Sequence, residues 1–258
     1  QTAYSLVMRA VEQARRANSK EAIVVSGGPG SGKSVIALSL LGELSRQGRT
    51  VLHATGSSAF TQTLRRVAGA RAPRVKGMFK YFNQFVDAVQ NDLDVLICDE
   101  AHRIRETSAN RYTRAELRTG RAQVEELIDA ARVPVFLLDE HQVVRPGEIG
   151  TVADIEAAAR SLGVGWRQVD LDGQFRCGGS RAYEEWVLRL LGLEPGGPVQ
   201  WEGDDGLWLS TADGPSEMEG RLRALLAGGY GARLAAGKLL AVERPHPRRR
   251  PAGGCRDR

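Results

Sequence analysis

The chain has 258 residues, 42% hydrophobic and 26% charged, enough for one large domain or two smaller ones around a substantial core. No apolar run approaches the roughly 18 residues of a membrane span, and the three cysteines, Cys98, Cys177 and Cys255, lack metal-ligand spacing and point to a reducing, cytoplasmic setting. The net charge of +5 does not make a broadly basic surface: from Glu243 onward six arginines and two acids carry +4, which leaves +1 on residues 1–242, so any nucleic-acid groove is a local patch.

Residues 2–18 place Tyr4, Leu6, Val7, Ala10, Val11 and Ala14 on one helical face. A buried strand follows at 22–25, then a glycine-rich loop and an amphipathic helix from Val35 to Leu44. A second strand is expected over 50–54 and a helix over 57–67. Residues 70–93 are mixed and carry Phe79, Tyr81, Phe82 and Phe85. Further strands are expected at 94–99 and 133–139, separated by a polar loop at 103–120 and a helix at 121–131. Beyond them a helix over 151–162, a strand over 169–175, a helix over 181–191, a strand over 207–210 and a helix over 215–227 are expected. Alternation of this kind predicts an α/β fold with a central parallel sheet and right-handed crossovers. A domain boundary is placed at 165/166. Residues 245–258, rich in Pro, Arg and Gly, read as disordered.

The loop Gly27-Gly28-Pro29-Gly30-Ser31-Gly32-Lys33-Ser34 fits the phosphate-binding pattern G-x-x-x-x-G-K-[ST], in the strand–loop–helix context the pattern requires. Its glycines let backbone N–H groups turn inward toward phosphate oxygens, and the following helix adds its positive end. Lys33 is placed to reach the β- and γ-phosphates of ATP, and Ser34 to ligate Mg²⁺.

Three further strand ends carry chemistry. Asp99-Glu100-Ala101-His102 closes an aliphatic strand with two acids. Asp99 is placed to hold Mg²⁺ and Glu100 to activate the attacking water, since adjacent residues at a strand end point to different sides. His102 either couples the site to a neighbouring motif or caps a turn. In Asp139-Glu140-His141-Gln142, Gln142 is positioned to sense the γ-phosphate, while the acids read equally as plain strand ends. In Gln174-Phe175-Arg176-Cys177-Gly178-Gly179-Ser180, Arg176 is a candidate arginine finger, with Phe175 buried beneath it to fix its direction. The competing reading pairs Arg176 with Asp170 or Asp172 to steady the fold.

These four motifs, in this order, resemble superfamily 1 helicases of the RecD-like kind. Arg145-Pro146-Gly147-Glu148-Ile149-Gly150, with the 174–180 run followed by Tyr183 and Trp186, resembles a narrower group, the Schlafen group 3-like DNA/RNA helicase domain, over roughly residues 1–237. The resemblance implies a RecA-like P-loop ATPase domain at 1–165, with Lys33 and Ser34 in motif I, Asp99 and Glu100 in motif II, Gln142 in motif III and Arg176 in motif IV. It also implies the start of a second RecA-like domain at 166–237. The Ala54-Thr55-Gly56-Ser57 turn stands where such helicases touch single-stranded DNA or RNA, and Gln1 where they carry an adenine-reading glutamine.

Only about 90 residues follow the boundary, short for a complete second domain, so unwinding by this chain is not expected. After Ala232-Arg233-Leu234-Ala235-Ala236-Gly237 the sequence departs from the family as a frameshift would make it depart. Residues 238–258 are therefore expected to be a non-native, disordered tail that contributes only non-specific charge. The alternative to a nucleic-acid motor domain is a nucleotide-dependent switch that hydrolyses ATP without translocation.

Overall fold

In the computed structural model the described residues are 2–70, 72–109, 113, 120–142, 147–171, 173, 175, 180–204 and 207–234. Thr2–Ala17 forms α1 and Glu21–Gly27 forms β1. Lys33–Arg46 is α2, Val51–Thr55 is β2 and Ser58–Val67 is α3. The mixed stretch resolves into a short helix α4 at Pro73–Gly77 and a short strand β3 at Phe79–Tyr81. Leu93–Asp99 is β4, Gln123–Ala130 is α5 and Ala131–Leu138 is β5. The remaining elements are α6 at Val152–Ser161, β6 at Gly165–Leu171, α7 at Arg181–Leu190 and α8 at Pro215–Ala227.

All six strands join one sheet in the order β3-β2-β4-β5-β1-β6, and every pairing is parallel. A parallel sheet is covered on both faces, which is why its central strands are apolar without interruption. Along β1, Ile23 and Val25 pack toward α1 and α2 with Ala10, Leu40 and Leu44. Ala22 and Val24 pack to the other side with Leu127 and Ile128 of α5 and Ile155 of α6. The fold is thus a three-layer P-loop NTPase architecture, as the strand–helix alternation implied.

Register determines where the functional residues emerge. Ser26 lies beside Leu138, Asp99 beside Leu137, and Gly27 beside Leu171. The carboxyl ends of β1, β4, β5 and β6 therefore finish almost level, and the loops that leave them share one edge of the sheet. Crevices at this edge are where open α/β sheets place ligands.

Two expected strands differ. The strand placed at 169–175 begins four residues earlier, at Gly165, and ends at Leu171. It is an edge strand whose Arg167 and Gln168 face solvent, so burial does not mark its start in the pattern. Arg167 secures that start with two contacts, of 2.5 and 2.8 Å, to the Glu21 carboxylate across the pair. The strand expected at 207–210 is not formed; Leu207 makes a single antiparallel bridge with Asp204. The boundary expected at 165/166 falls at the start of β6, which pairs with β1 along its full length. By its contacts the chain forms compact units of Gln1–Leu207 and Trp208–Arg258. In the second unit α8 is held by Glu217–Arg221 and Glu219–Arg223 pairs one turn apart, and it buries no residue. The tail expected at 238–258 lies outside the described residues.

Candidate nucleotide site

The P-loop connects β1 to α2. Gly30 and Gly32 both take φ near +90°, a left-handed conformation that a residue with a Cβ adopts only under strain. Gly27 is required for a different reason: a Cβ there would meet Leu171 of β6 at 3.0 Å and the Ser31 hydroxyl at 2.7 Å. Gly32 caps α2 without a side-chain partner, so the first N–H groups of the helix remain directed at the loop. The Lys33 ammonium curls over the loop, donating to the Gly27 carbonyl, to the Gly28 carbonyl at 2.8 Å and to Ser31 Oγ at 3.3 Å.

This loop floors a cavity of about 830 Å³ lined by residues 29–34 together with Glu100, His102, Gln142, Asp170 and Phe175. Residues drawn from four strand ends, those of β1, β4, β5 and β6, thus face one space. Of the residues assigned to the site from sequence, Pro29, Gly30, Ser31, Gly32, Lys33, Ser34, Glu100 and Gln142 line this cavity, while the Gly27 and Gly28 carbonyls accept from Lys33. Because β5 lies between β1 and β4 in the sheet, Gln142 leaves its strand between the P-loop and Glu100.

Glu100 occupies the left-handed region with φ 57°, unusual for a residue with a side chain and typical of a functional turn. The Arg103 guanidinium donates to Glu100 Oε2 at 3.1 Å, and His102 Nε2 stands 3.3 Å from the same oxygen. The imidazole first, and then the guanidinium, hold the Glu100 carboxyl down at about 2 against the opposing effect of its partial burial. His102 is buried at the cavity wall, beside the carboxylate.

Asp99 is 1% exposed and sits behind the lining. Its Oδ1 accepts the Glu100 N–H at 3.0 Å, while Oδ2 is buried without a hydrogen bond. A carboxyl oxygen left unsatisfied in the interior is costly unless a hydrogen bond, a cation or a cation's water completes it. Among the described residues no three His, Cys, Asp or Glu side chains gather into a metal cluster. A cation here would draw on Ser34, Asp99, phosphate oxygens and water, an all-oxygen donor set that suits Mg²⁺.

Phe175 is the correction at this site. Expected beneath Arg176 in the interior, it is 77% exposed. Its N–H donates to the Gly30 carbonyl at 3.0 Å, and its ring lies near Gly32 and Gly173, so Phe175 rests against the P-loop with its aromatic ring on the cavity rim. Arg176 lies outside the described residues, as do Arg145, Pro146, Gln174, Cys177 and Gln1.

Sequence reasoning missed one lining residue, Asp170, and one residue behind the lining, His53. Asp170, on β6, lines the cavity; it accepts from Ser26 Oγ and from Gln168 Nε2, the latter at 2.7 Å, and these bonds lower its pKa. Pairing of β6 with β1 brings it there, and no local motif announces it. His53 belongs to no motif either, although its place between Val51 and Thr55 in the two-residue alternation of β2 already puts it in the core.

A second cavity, of about 380 Å³, opens beside the 54–57 turn and is lined by Thr55, Gly56, Tyr81, Asn83, Arg103 and Arg105 among others. Ser57 caps α3, its hydroxyl accepting the Phe60 N–H at 3.3 Å.

Residues 20–250 match the family described as "Schlafen group 3, DNA/RNA helicase domain". No curated protein has significant similarity to the chain. Among solved structures, AMPPCP-bound DnaA from Aquifex aeolicus is similar at 18% identity, over 88% of this chain and 62% of that one, with a TM-score of 0.36. Pif1 helicase from Candida albicans is similar at 15% identity, over 71% of this chain and 43% of that one, with a TM-score of 0.39. The chain spans less than two thirds of either. With a glycine-rich phosphate loop at the head of a six-stranded parallel sheet and a family match across most of its length, this chain belongs to the Schlafen group 3 DNA/RNA helicase domain family, a helicase-like P-loop group.

Proposed function

We propose that this domain binds ATP with Mg²⁺ and hydrolyses it in response to single-stranded DNA or RNA. The observation that carries the reading is the convergence of Lys33, Ser34, Glu100 and Gln142, from three separate strand ends, on one cavity. The roles follow from chemistry. Phosphate oxygens compete with the Gly27 and Gly28 carbonyls for the Lys33 ammonium, a stronger bond because both partners are charged. Mg²⁺, when bound, neutralises phosphate charge; Ser34 and Asp99 are the residues that would hold it. Glu100, kept ionised, accepts the proton of the attacking water, and Gln142 orients toward the γ-phosphate. Arg176 is assigned the finger that meets charge developing on that phosphate.

The cavity beside Thr55 and Gly56 is the assigned nucleic-acid contact. Arg103 and Arg105 supply a local basic patch there on a body with little net charge. Arg103 belongs to both places, lining this cavity while bonded to Glu100. The test is ATP hydrolysis with and without single-stranded DNA and RNA. Stimulation by one of them identifies the partner; hydrolysis indifferent to both leaves the switch reading. Lys33→Ala should abolish measurable ATP binding, and unchanged affinity would end the P-loop assignment. Arg176→Ala should lower kcat by about 10³-fold or more with ATP affinity nearly unchanged; a lower melting temperature with normal kcat would make it a structural arginine.

A further inference from the structure

His53 lies on β2, which pairs with β4, the strand that ends in Asp99. Its ring is completely buried, edge-on to Phe79 with centroids 5.5 Å apart and to Phe60 of α3 at 6.2 Å. A buried imidazole normally satisfies its nitrogens, because leaving them bare forfeits the hydrogen bonds water had supplied. Here neither Nδ1 nor Nε2 makes a hydrogen bond. Nε2 stands 3.4 Å from Asp99 Oδ2, the carboxylate oxygen that is itself buried and without a hydrogen bond. The opposite oxygen of Asp99 is already tied to the Glu100 N–H. Two buried polar atoms without hydrogen bonds thus face each other, and a small rotation of either group closes the contact. A histidine that merely filled the core between two phenylalanines would have no need to aim a nitrogen at an acid.

We propose that His53 is a positioning residue for Asp99. In its neutral form the imidazole carries one N–H; placed on Nε2 it donates to Oδ2 and sets the plane of the carboxylate. Each carboxylate oxygen keeps a second lone pair, so a carboxylate gripped by His53 on one side and by the Glu100 N–H on the other still presents lone pairs to the metal or its water. His53 is not among the residues lining the nucleotide cavity; it acts through Asp99. Groups of this kind behind a metal-binding carboxylate typically contribute about 10- to 100-fold in metal affinity. The inference rests on the reading of Asp99 as the metal carboxylate.

The test is binding rather than turnover. Affinity for AMPPCP is measured with Mg²⁺ and with EDTA, and the ratio of the two reports the metal's contribution; Mn²⁺ binding to the AMPPCP complex, followed by electron paramagnetic resonance, reports it directly. His53→Leu should lower the ratio and the Mn²⁺ affinity by about 10- to 100-fold while the EDTA value stays within about twofold. His53→Gln, whose amide nitrogen falls where Nε2 lies, should retain the ratio. His53→Asn, which sets its donor at the Nδ1 position, should lose it. If His53→Leu does not fold, the Gln and Asn pair decides. A folded His53→Leu with an undiminished ratio overturns the proposal, as does equal behaviour of Gln and Asn. Asp99→Asn is measured alongside: if it keeps the full ratio, the metal assignment of Asp99 fails, and that failure is distinguishable from a failure of the His53 contact alone.

Discussion

Asp99-Glu100-Ala101-His102 and Asp139-Glu140-His141-Gln142 are nearly the same words at the ends of neighbouring parallel strands, and each runs into a 3₁₀ turn. Both aspartates are 1% exposed. Their environments nevertheless differ at every atom. Asp139 is consumed locally: one oxygen accepts the His141 N–H at 3.0 Å and the other accepts Gln142 Nε2 at 2.9 Å. Asp99 spends one oxygen on the next N–H and leaves the other facing His53. The glutamates diverge as well. Glu100 turns into a left-handed conformation and is clasped by His102 and Arg103 at the cavity wall, whereas Glu140 is exposed and outside the lining. Burial therefore does not distinguish a metal carboxylate from a structural one. The difference is that Asp99 keeps one buried oxygen with no hydrogen bond, whereas both oxygens of Asp139 accept one. This is why Asp99 is the carboxylate proposed for a cation, while Asp139 bonds the Gln142 side chain.

The largest expected effect tests the glutamates against each other. Glu100→Gln keeps shape and removes the base, and should lower kcat by about 10²- to 10⁴-fold with ATP affinity retained. Glu140→Gln should leave kcat within about twofold. Equal losses in steady-state hydrolysis would erase the contrast between the two turns.

A smaller effect is expected at the Asp139–Gln142 pair. Asp139→Asn and Gln142→Ala should each lower kcat by about tenfold, the value of one positioning hydrogen bond. The double variant should be no slower than either single one, since both remove the same contact. Multiplying losses would show that Asp139 acts on something other than Gln142.

The smallest concerns how the Glu100 turn maintains its charge. Because the folded pKa is depressed to about 2 from an ordinary 4.5, the stabilisation from the ionised carboxylate is fully present above about pH 4.5 and is lost as pH falls toward 2. Arg103→Ala removes the guanidinium that helps hold the carboxyl down, so the Glu100 midpoint, read from its carboxyl carbon resonance in NMR, should rise toward the usual range. An unmoved midpoint would assign the whole depression to His102.

Much of this architecture is legible in the order of the residues. The strands at 93–99 and 131–138 stand out because strands buried on both faces need unbroken apolar runs, and the acids that follow mark their ends. The helices at 2–17 and 58–67 carry one-sided apolar periodicity. Edges are harder. In β6, Arg167, Gln168 and Asp170 break the apolar pattern because one side of an edge strand has no neighbour, so the pattern places its start four residues too late. Hydrophobicity alone assigns Phe175 to the interior; nothing local reveals that its backbone bonds to the P-loop and its ring stays exposed.

The sequence by itself determined the phosphate loop and most of the succession of strands and helices along the chain, because glycine at left-handed positions and apolar runs in covered strands are local requirements that each residue meets or fails alone. Only the tertiary structure decided which of two almost identical acidic turns keeps an open carboxylate. It also decided that Asp170 would reach the cavity, and that a core histidine would face Asp99. Those outcomes depend on which strand lies alongside and in what register: β2 brings His53 to Asp99, and β6 brings Asp170 to Ser26. Such neighbours are 46 or more positions apart in the chain, as His53 and Asp99 are, and no short stretch of sequence carries the information that they meet.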